Sequence, residues 1–397
     1  MNELKEIVLR KGKEDSLKRF HPWVFSGAIA HKPDAIEEGE VVHVLAADSS
    51  FLGVGHYQIG SIAVRILSFQ NEAIDGSFYV KRIAQAYRLR QTLQLLRSDN
   101  NAFRLIHGEG DLLPGLIIDM YGDTAVVQAH SVGMHRDISL IVSALKNVLP
   151  DDRLQHVFYK SEGTLPYKAE VNVVDTYLMG GNQVHEVAIE NGLKFNIDWL
   201  KGQKTGFFVD QRENRSLLEK YSSNRNVLNM FCYTGGFSVY ALRGGAASVV
   251  SVDSSSKAVL LTERNVNLNF GEDSRHEAVA EDAFKYLKQV PKGKYDLIVL
   301  DPPAFAKHRG AINNALQGYK KLNYSAFEKL APGGILFTFS CSQAITKESF
   351  RLAVFSAAAI SGRQVRILHQ LTQPADHPVN IYHPEGEYLK GLVLQVE

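Results

Sequence analysis

Residues 226–253 read NVLNMFCYTGGFSVYALRGGAASVVSVD. A short apolar run, a turn holding two adjacent glycines, a helix-like segment and a second β-branched run ending on an acid follow one another. This order is the start of a βαβ unit, in which a buried parallel strand reads as a continuous apolar stretch and the crossover reads as a helix. The pattern continues downstream through a helix in KAVLLTERNVNLN, a strand in HEAVAED, a strand in YDLIVLD, a helix around YKKLNYSAFEKL and a strand in GGILFTFS. Residues 191–397 are therefore predicted to form an α/β domain on a parallel, Rossmann-like sheet.

Upstream the texture changes. Residues 1–75 offer short strands (EIVLRKG, GEVVHVLAAD, FLGVGHYQ, IAVRILSF) broken by Gly12, Gly39, Gly53, Gly55 and Gly60, the spacing of a small β-barrel or sandwich. Residues 76–190 combine a helix (FYVKRIAQAYRLRQTLQLL), two strands joined at Tyr121-Gly122-Asp123 and a second helix (RDISLIVSALKNVL), a central α+β domain. Three domains are expected for 397 residues.

Composition narrows the function classes. Lys and Arg total 44 against 43 Asp and Glu, and residues 191–397 hold 25 basic and 19 acidic side chains, about +6. That is a lean toward a polyanionic partner, short of the balance of a dedicated nucleic-acid binder. No apolar run reaches the ~18–20 residues needed to span a bilayer, and the opening MNELKEIVLRKGKEDS has no signal-peptide character, so a cytoplasmic protein without membrane contact is expected. Two cysteines, Cys232 and Cys341, exclude a disulfide framework and a four-cysteine zinc site. Any cysteine chemistry must be that of a single thiol.

In a doubly wound sheet ligands bind beyond the carboxyl ends of the strands, so the residues that follow each strand are the informative ones. After the first come Asn229, Tyr233 and the Gly235-Gly236 turn; after the second, Asp253 and Ser254, where a carboxylate can bind ribose hydroxyls; after the third, Asp282 and Ala283, near an adenine amino group. A nicotinamide dinucleotide would need a G-x-G-x-x-G turn, which is missing. The set points to S-adenosylmethionine (SAM).

The fourth strand delivers Asp301-Pro302-Pro303-Ala304-Phe305, and the strand GGILFTF delivers Ser340-Cys341-Ser342. On neighbouring strands about 4.8 Å apart, Asp301 and Cys341 could address one base. C5 of a pyrimidine accepts a methyl group only after a nucleophile has added at C6, which a thiolate does, while a carboxyl group next to N3 stabilises the changing ring charge. Pro302 and Pro303 stiffen the strand exit and Phe305 is placed to pack on a planar substrate. Cys232, inside the glycine loop, reads as a packing residue. The acidic and histidine residues Asp376, His377, His383, Glu385 and Glu387 have no zinc-ligand spacing and read as a final hairpin near the active site; no metal is expected.

GQKTGFFVDQRENR, NMFCYTGGFSVYAL, VVSVDSS, DLIVLDPPAFAK, GGILFTFSCS and DHPVNIYHPEGEYLKG together resemble the bacterial 23S rRNA cytosine-C5 methyltransferase family, and RKGKEDSLKRFHPWVFSGAI resembles the start of its PUA module. The resemblance covers essentially the whole chain. It implies a PUA-like RNA-binding β-barrel, a central α+β domain and a class I SAM-dependent methyltransferase domain. By position it implies Cys341 as nucleophile and Asp301 as base-contacting acid. Gly235, Asp253 and Asp282 fall in the SAM site, with Asp210 and Gln211 flanking cofactor and target base. The implied partner is 23S rRNA or a large-subunit assembly intermediate, with a homodimer as one assembly state to test. Arg10, Lys11, Lys18 and Arg19, with Lys13, His21 and Trp23 nearby, would form an RNA-facing edge. Ala304 departs from the best-known member, which has lysine there. There is also no second cysteine after the prolines, so another group must take the C5 proton. Two rival readings are a SAM enzyme of other chemistry, such as guanine or amine N-methylation through Asp-Pro-Pro, and a non-catalytic RNA-binding assembly factor.

Overall fold

A computed structural model describes residues 4–166, 171–181, 187–306 and 309–397. The chain divides into two compact units. Unit one comprises residues 1–189, 197–209 and 375–386; unit two comprises residues 190–196, 210–374 and 387–397.

Unit one carries two sheets. The first six strands form one, in the spatial order Trp23–Phe25, Ile62–Ser68, Phe51–Tyr57, Val41–Leu45, Lys5–Leu9, Ile29–His31. It closes on Ile7, Leu9, Val24, Val42, Val44, Val64 and Ile66, the inward side of the alternating strands. The two shortest strands, three residues each, were not read from the sequence, because such a span carries no periodic signal. A second, five-stranded sheet runs Thr176–Met179, His156–Tyr159, Thr124–Ala129, Leu116–Tyr121, Ala102–His107. The helices Gly76–Thr92 and Ile138–Val148 contribute Phe78, Tyr79, Ile83, Ile141 and Leu145 to its core. Asp75 starts the first of these helices by accepting the amides of Ser77 and Phe78.

Unit two is the α/β sheet. Its elements are α1 (Arg212–Tyr221), β1 (Asn226–Met230), α2 (Gly236–Arg243), β2 (Ser248–Asp253), α3 (Ser256–Phe270), β3 (His276–Ala280), α4 (Ala283–Gln289), β4 (Tyr295–Leu300), α5 (Ile312–Lys329), β5 (Leu330–Ser340), α6 (Lys347–Ser361), β6 (Val365–Leu371) and β7 (Lys390–Val396). The sheet order is β3-β2-β1-β4-β5-β7-β6. The five strands from β3 to β5 are parallel, while β7 inserts antiparallel between β5 and β6. Leu228, Met230, Ile298, Leu300 and Leu336 fill the sheet face against Tyr319, Leu322 and Phe327 of α5 and Phe350 of α6. The order reverses between β1 and β4, so the crevice lies at the ends of those two strands.

One buried ion pair ties the start of unit two together. Arg215 of α1 donates from Nε and Nη2 to the two carboxylate oxygens of Glu190 at 2.8 and 2.7 Å, and Tyr240 of α2 donates to the same carboxylate at 3.0 Å. Both charged side chains are almost fully buried. Removing one partner leaves the other charge buried and unpaired, which costs about 3–5 kcal/mol. Glu190→Ala is expected to lower stability by that order in chemical denaturation followed by circular dichroism, whereas the exposed-pair variant Glu328→Ala should stay near wild type.

Candidate active site

The glycine turn between β1 and α2 is held by α3. Gly235 has φ +76°, and a Cβ there would lie 2.6 Å from Thr262 Cγ2, so the position requires glycine. Thr262 Oγ1 donates to the Tyr233 carbonyl at 3.0 Å and Asn265 Nδ2 to the Thr234 carbonyl at 2.8 Å. Asp253, at the end of β2, accepts the Tyr233 amide at 3.0 Å and the Ser255 amide at 2.9 Å. The loop and the second-strand acid are thus one hydrogen-bonded body. Ser254 beside it is exposed, and Asp282 caps α4 by accepting the Lys285 amide. Ala283 is the first residue of α4.

Two acceptors at this crevice lack donors. Asn229 donates from Nδ2 to Ser238, leaving its buried Oδ1 without a hydrogen-bond partner. Asp210 accepts the Tyr388 hydroxyl at 2.7 Å on Oδ2, while its Oδ1 is buried and unpartnered. A buried acceptor without a donor is costly, and the α-ammonium and ribose hydroxyls of SAM are donors of the kind this site is short of. The residues present fit that cofactor.

Asp301 follows β4 and Cys341 follows β5. The strands are parallel neighbours, with Leu300 opposite Thr338, so both residues leave the sheet on the same edge. Cys341 Sγ lies 4.0 Å from the Pro302 carbonyl oxygen. Asp301 keeps some contact with solvent but is ringed by protein: burial first, and the nearby Asp210 carboxylate second, push it up to about 7, against the lowering effect of a Gln211 hydrogen bond and Arg215. Gln211 is itself buried and accepts from Asn214.

The serines flanking Cys341 explain its placement. Ser340 and Ser342 are fully buried and both bond the Tyr319 hydroxyl of α5, at 2.9 and 3.0 Å; Ser342 Oγ also accepts the Ala306 amide at 3.2 Å. Pro302 is buried and Pro303 exposed. Phe305 departs from expectation. Its ring packs 4.7 Å from that of Tyr319, against the hydrophobic core, because Gly318 leaves room for it on α5. The Lys307 that closes the quoted DLIVLDPPAFAK lies outside the described residues.

The thiols differ sharply. Cys232 is buried, within 3.5 Å of the Thr262 hydroxyl, and burial pushes it up to about 12. Sequence reasoning missed Arg215, Tyr319, Tyr388 and Lys390. Lys390 is buried and donates to the Ser342 and Ile345 carbonyls at 2.7 and 2.6 Å.

The acidic and histidine residues near the C-terminus do not form the expected hairpin of strands. Residues 375–386 belong to unit one, where they form turns and a short 3₁₀ segment at Pro384–Gly386. Asp376 accepts the Arg104 amide there, and His383 packs on Trp23 with ring centroids 4.3 Å apart. Glu387 falls in unit two and pairs with Lys347 at 2.9 Å. Ligand atoms of His21, His383 and Glu385 lie within 4.8 Å of one another. His21 Nδ1 accepts the Trp23 amide, however, so in the neutral ring Nε2 carries the proton and faces Glu385 as a donor.

Residues 167–384 match the S-adenosylmethionine-dependent methyltransferase family and residues 7–69 the PUA-like domain. Ribosomal RNA large subunit methyltransferase I of Tolumonas auensis is 41% identical over 395 residues, covering 98% of each chain. The protein of that name from Escherichia coli is 38% identical, covering 98% of this chain and 99% of its own. The chain belongs to this methyltransferase family. SAM is its cofactor. In fold, a methyltransferase crystallised with S-adenosylhomocysteine superposes with TM-score 0.84 at 24% identity, over 98% of this chain and all of that one. A SAM-dependent methyltransferase of Streptococcus mutans gives 0.83. Among the described residues no helix is long and apolar enough to cross a membrane.

With one thiol partly open and the other sealed, brief alkylation of the native protein by iodoacetamide at pH 8 is expected to label Cys341 and spare Cys232 until the chain is denatured. Peptide mass spectrometry reads the ratio.

Proposed function

We propose that this protein transfers a methyl group from SAM to C5 of a cytosine in 23S rRNA, acting on the RNA itself or on a large-subunit assembly intermediate. Such a substrate would place it in the bacterial cytoplasm. The observation that carries the reading is the approach of Cys341 Sγ to the Pro302 carbonyl beside an Asp301 that titrates near neutrality.

Bound SAM supplies an electrophilic methyl group. The Gly235 loop, Tyr233, Asp253 and Ser254 would hold its ribose and chain, Asn229 and Gln211 its amino-acid end, and Asp282 and Ala283 its adenine. Cys341 adds a sulfur lone pair to C6 of the cytosine, which makes C5 nucleophilic. Asp301, protonated over much of the neutral range, donates to N3 and stabilises the enamine form of the ring. Once C5 carries the methyl group, loss of the C5 proton to solvent returns its bonding pair to C5=C6 and expels the Cys341 thiolate, while the N3 proton returns to Asp301. Asp301→Asn cannot hand over a proton, and Cys341→Ala has no nucleophile.

Arg10, Lys11, Lys18 and Arg19 are all exposed on the PUA-like module, as an RNA-facing edge requires. The family names of the relatives, which act on ribosomal RNA, support the same substrate class. Neutralising the four should weaken RNA binding and flatten its salt dependence while leaving SAM affinity unchanged. Equal binding and equal salt slope in the quadruple variant would remove this role.

The mechanism is read with RNA carrying 5-fluorocytosine, in which fluorine replaces the departing proton. A covalent complex should accumulate on denaturing gels and map to Cys341. Cys341→Ala should give neither complex nor product while still binding SAM, and Cys232→Ser should still form the complex. Full methylation by Cys341→Ala would favour N-methylation through Asp-Pro-Pro instead. Because Asp301 acts as an acid, its contribution should be lost as pH rises through about 7.

A further inference from the structure

A cation buried without a carboxylate is unusual, because desolvation of an ammonium is repaid only by a counter-charge or by full hydrogen bonding. Lys390 is 5% exposed and stands first in β7, opposite Ser340 in the antiparallel pairing with β5. Its ammonium donates to two backbone carbonyls, those of Ser342 and Ile345. An ammonium has three N–H bonds. The acid nearest in sequence, Glu387, is engaged by Lys347 of α6 at 2.9 Å. Among the described residues no carboxylate lies within ion-pair distance of Lys390.

The two carbonyls belong to the first and last residues of the Ser342–Ile345 turn, closed by the Ile345 amide donating to the Ser342 carbonyl at 3.1 Å, and Cys341 directly precedes that turn. We propose that Lys390 is the positioning residue for the nucleophile: it clamps the Ser342–Ile345 turn that directly follows Cys341, and its charge stabilises the Cys341 thiolate. This rests on Cys341 being the reactive thiol of the proposed function. No covalent step is added. The thiol proton leaves to solvent, the electron pair stays on sulfur, and the ammonium remains protonated beside it.

The groups acting on the pair can be named from each packed element. Lys390 feels Cys341 favourably, Lys347 unfavourably and Glu387 favourably, and the last two offset one another as an ion pair. Tyr319 of α5 faces Cys341 as a neutral phenol, raised by burial and fixed by Ser340 and Ser342. Burial lowers Lys390 to about 8 even against the raising effect of Cys341, so the ammonium keeps its proton at neutral pH by a narrow margin that the neighbouring sulfur helps to supply. An adjacent thiolate raises that affinity for the proton, and by linkage the ammonium lowers the thiol's.

The test follows Cys341 alkylation by iodoacetamide from pH 6 to 10, read by peptide mass spectrometry, which needs neither RNA nor turnover. Lys390→Met keeps the length and removes the charge, so the midpoint should move up by about one pH unit and the rate at pH 7 fall about tenfold. Lys390→Arg should restore most of the rate, and SAM affinity should be unchanged in both. The reciprocal measurement uses Cys341→Ser: Lys390 should lose its anion and react faster with acetic anhydride at pH 8 than in wild type. An unchanged Cys341 midpoint in Lys390→Met overturns the proposal. If Lys390→Met does not fold, equal Lys390 acylation in Cys341→Ser and wild type overturns it instead. Failure of the cytosine-C5 reading would show separately, as methylation that survives Cys341→Ala.

Discussion

The parallel pairing of β4 and β5 is the constraint on which the active site depends. With Leu300 opposite Thr338, two segments 40 residues apart in the chain must leave the sheet on one edge, and Asp301 and Cys341 come with them. Helix α5 is the crossover that makes the pairing parallel, and it is also the wall that fixes the result. Its Tyr319 hydroxyl bonds the serines on both sides of the cysteine. A thiol in a loop of its own would have rotamer and backbone freedom to lose on binding a base; under the proposed mechanism that loss would be met during folding.

The cofactor side is built on the same logic with a different device. Gly235 adopts a left-handed conformation against Thr262, and Asp253 accepts two amides that tie the first and second strand ends. Asp253 therefore shapes the loop, and in the proposed cofactor site it would also offer acceptors to ribose. Asn229 and Asp210 each keep a buried oxygen without a donor. Such groups destabilise the empty protein and favour a ligand that brings N–H or O–H bonds, so in the proposed site the free energy lost in folding would reappear as selectivity for the cofactor.

What could be read from the sequence was whatever the βαβ rule places at strand ends: the glycine turn, Asp253, Asp282, Asp301 and Cys341. Apolar runs and turn residues encode those positions locally. Lys390 was not legible, because its meaning depends on β7 inserting antiparallel beside β5, a pairing between segments 50 residues apart with no local signal. Tyr388 and its hydrogen bond to Asp210 are hidden for the same reason. The packing of Phe305 on Tyr319 was not legible either, because nothing in DPPAF announces that Gly318 opens a slot for it on α5. The assignment of residues 375–386 to unit one, while the residues just before and after them belong to unit two, contradicts chain order and could only come from tertiary packing.

Burial moves the acid and the cation of this site toward each other on the pH scale. Asp301 is raised to about 7 and Lys390 lowered to about 8, so an ordinary separation of more than six units shrinks to about one. Both groups hold their working protons below about 7, and both lose them above about 8. The thiolate gains population in the opposite direction. In the proposed reaction, a nucleophile that needs to be ionised beside an acid that needs to stay protonated sets a conflict that no single solvent pH resolves in water. Under the proposed mechanism the Lys390 ammonium, on the turn that follows Cys341, and the Asp210 carboxylate near Asp301 would resolve it locally: one neighbour favours loss of a proton, the other favours its retention.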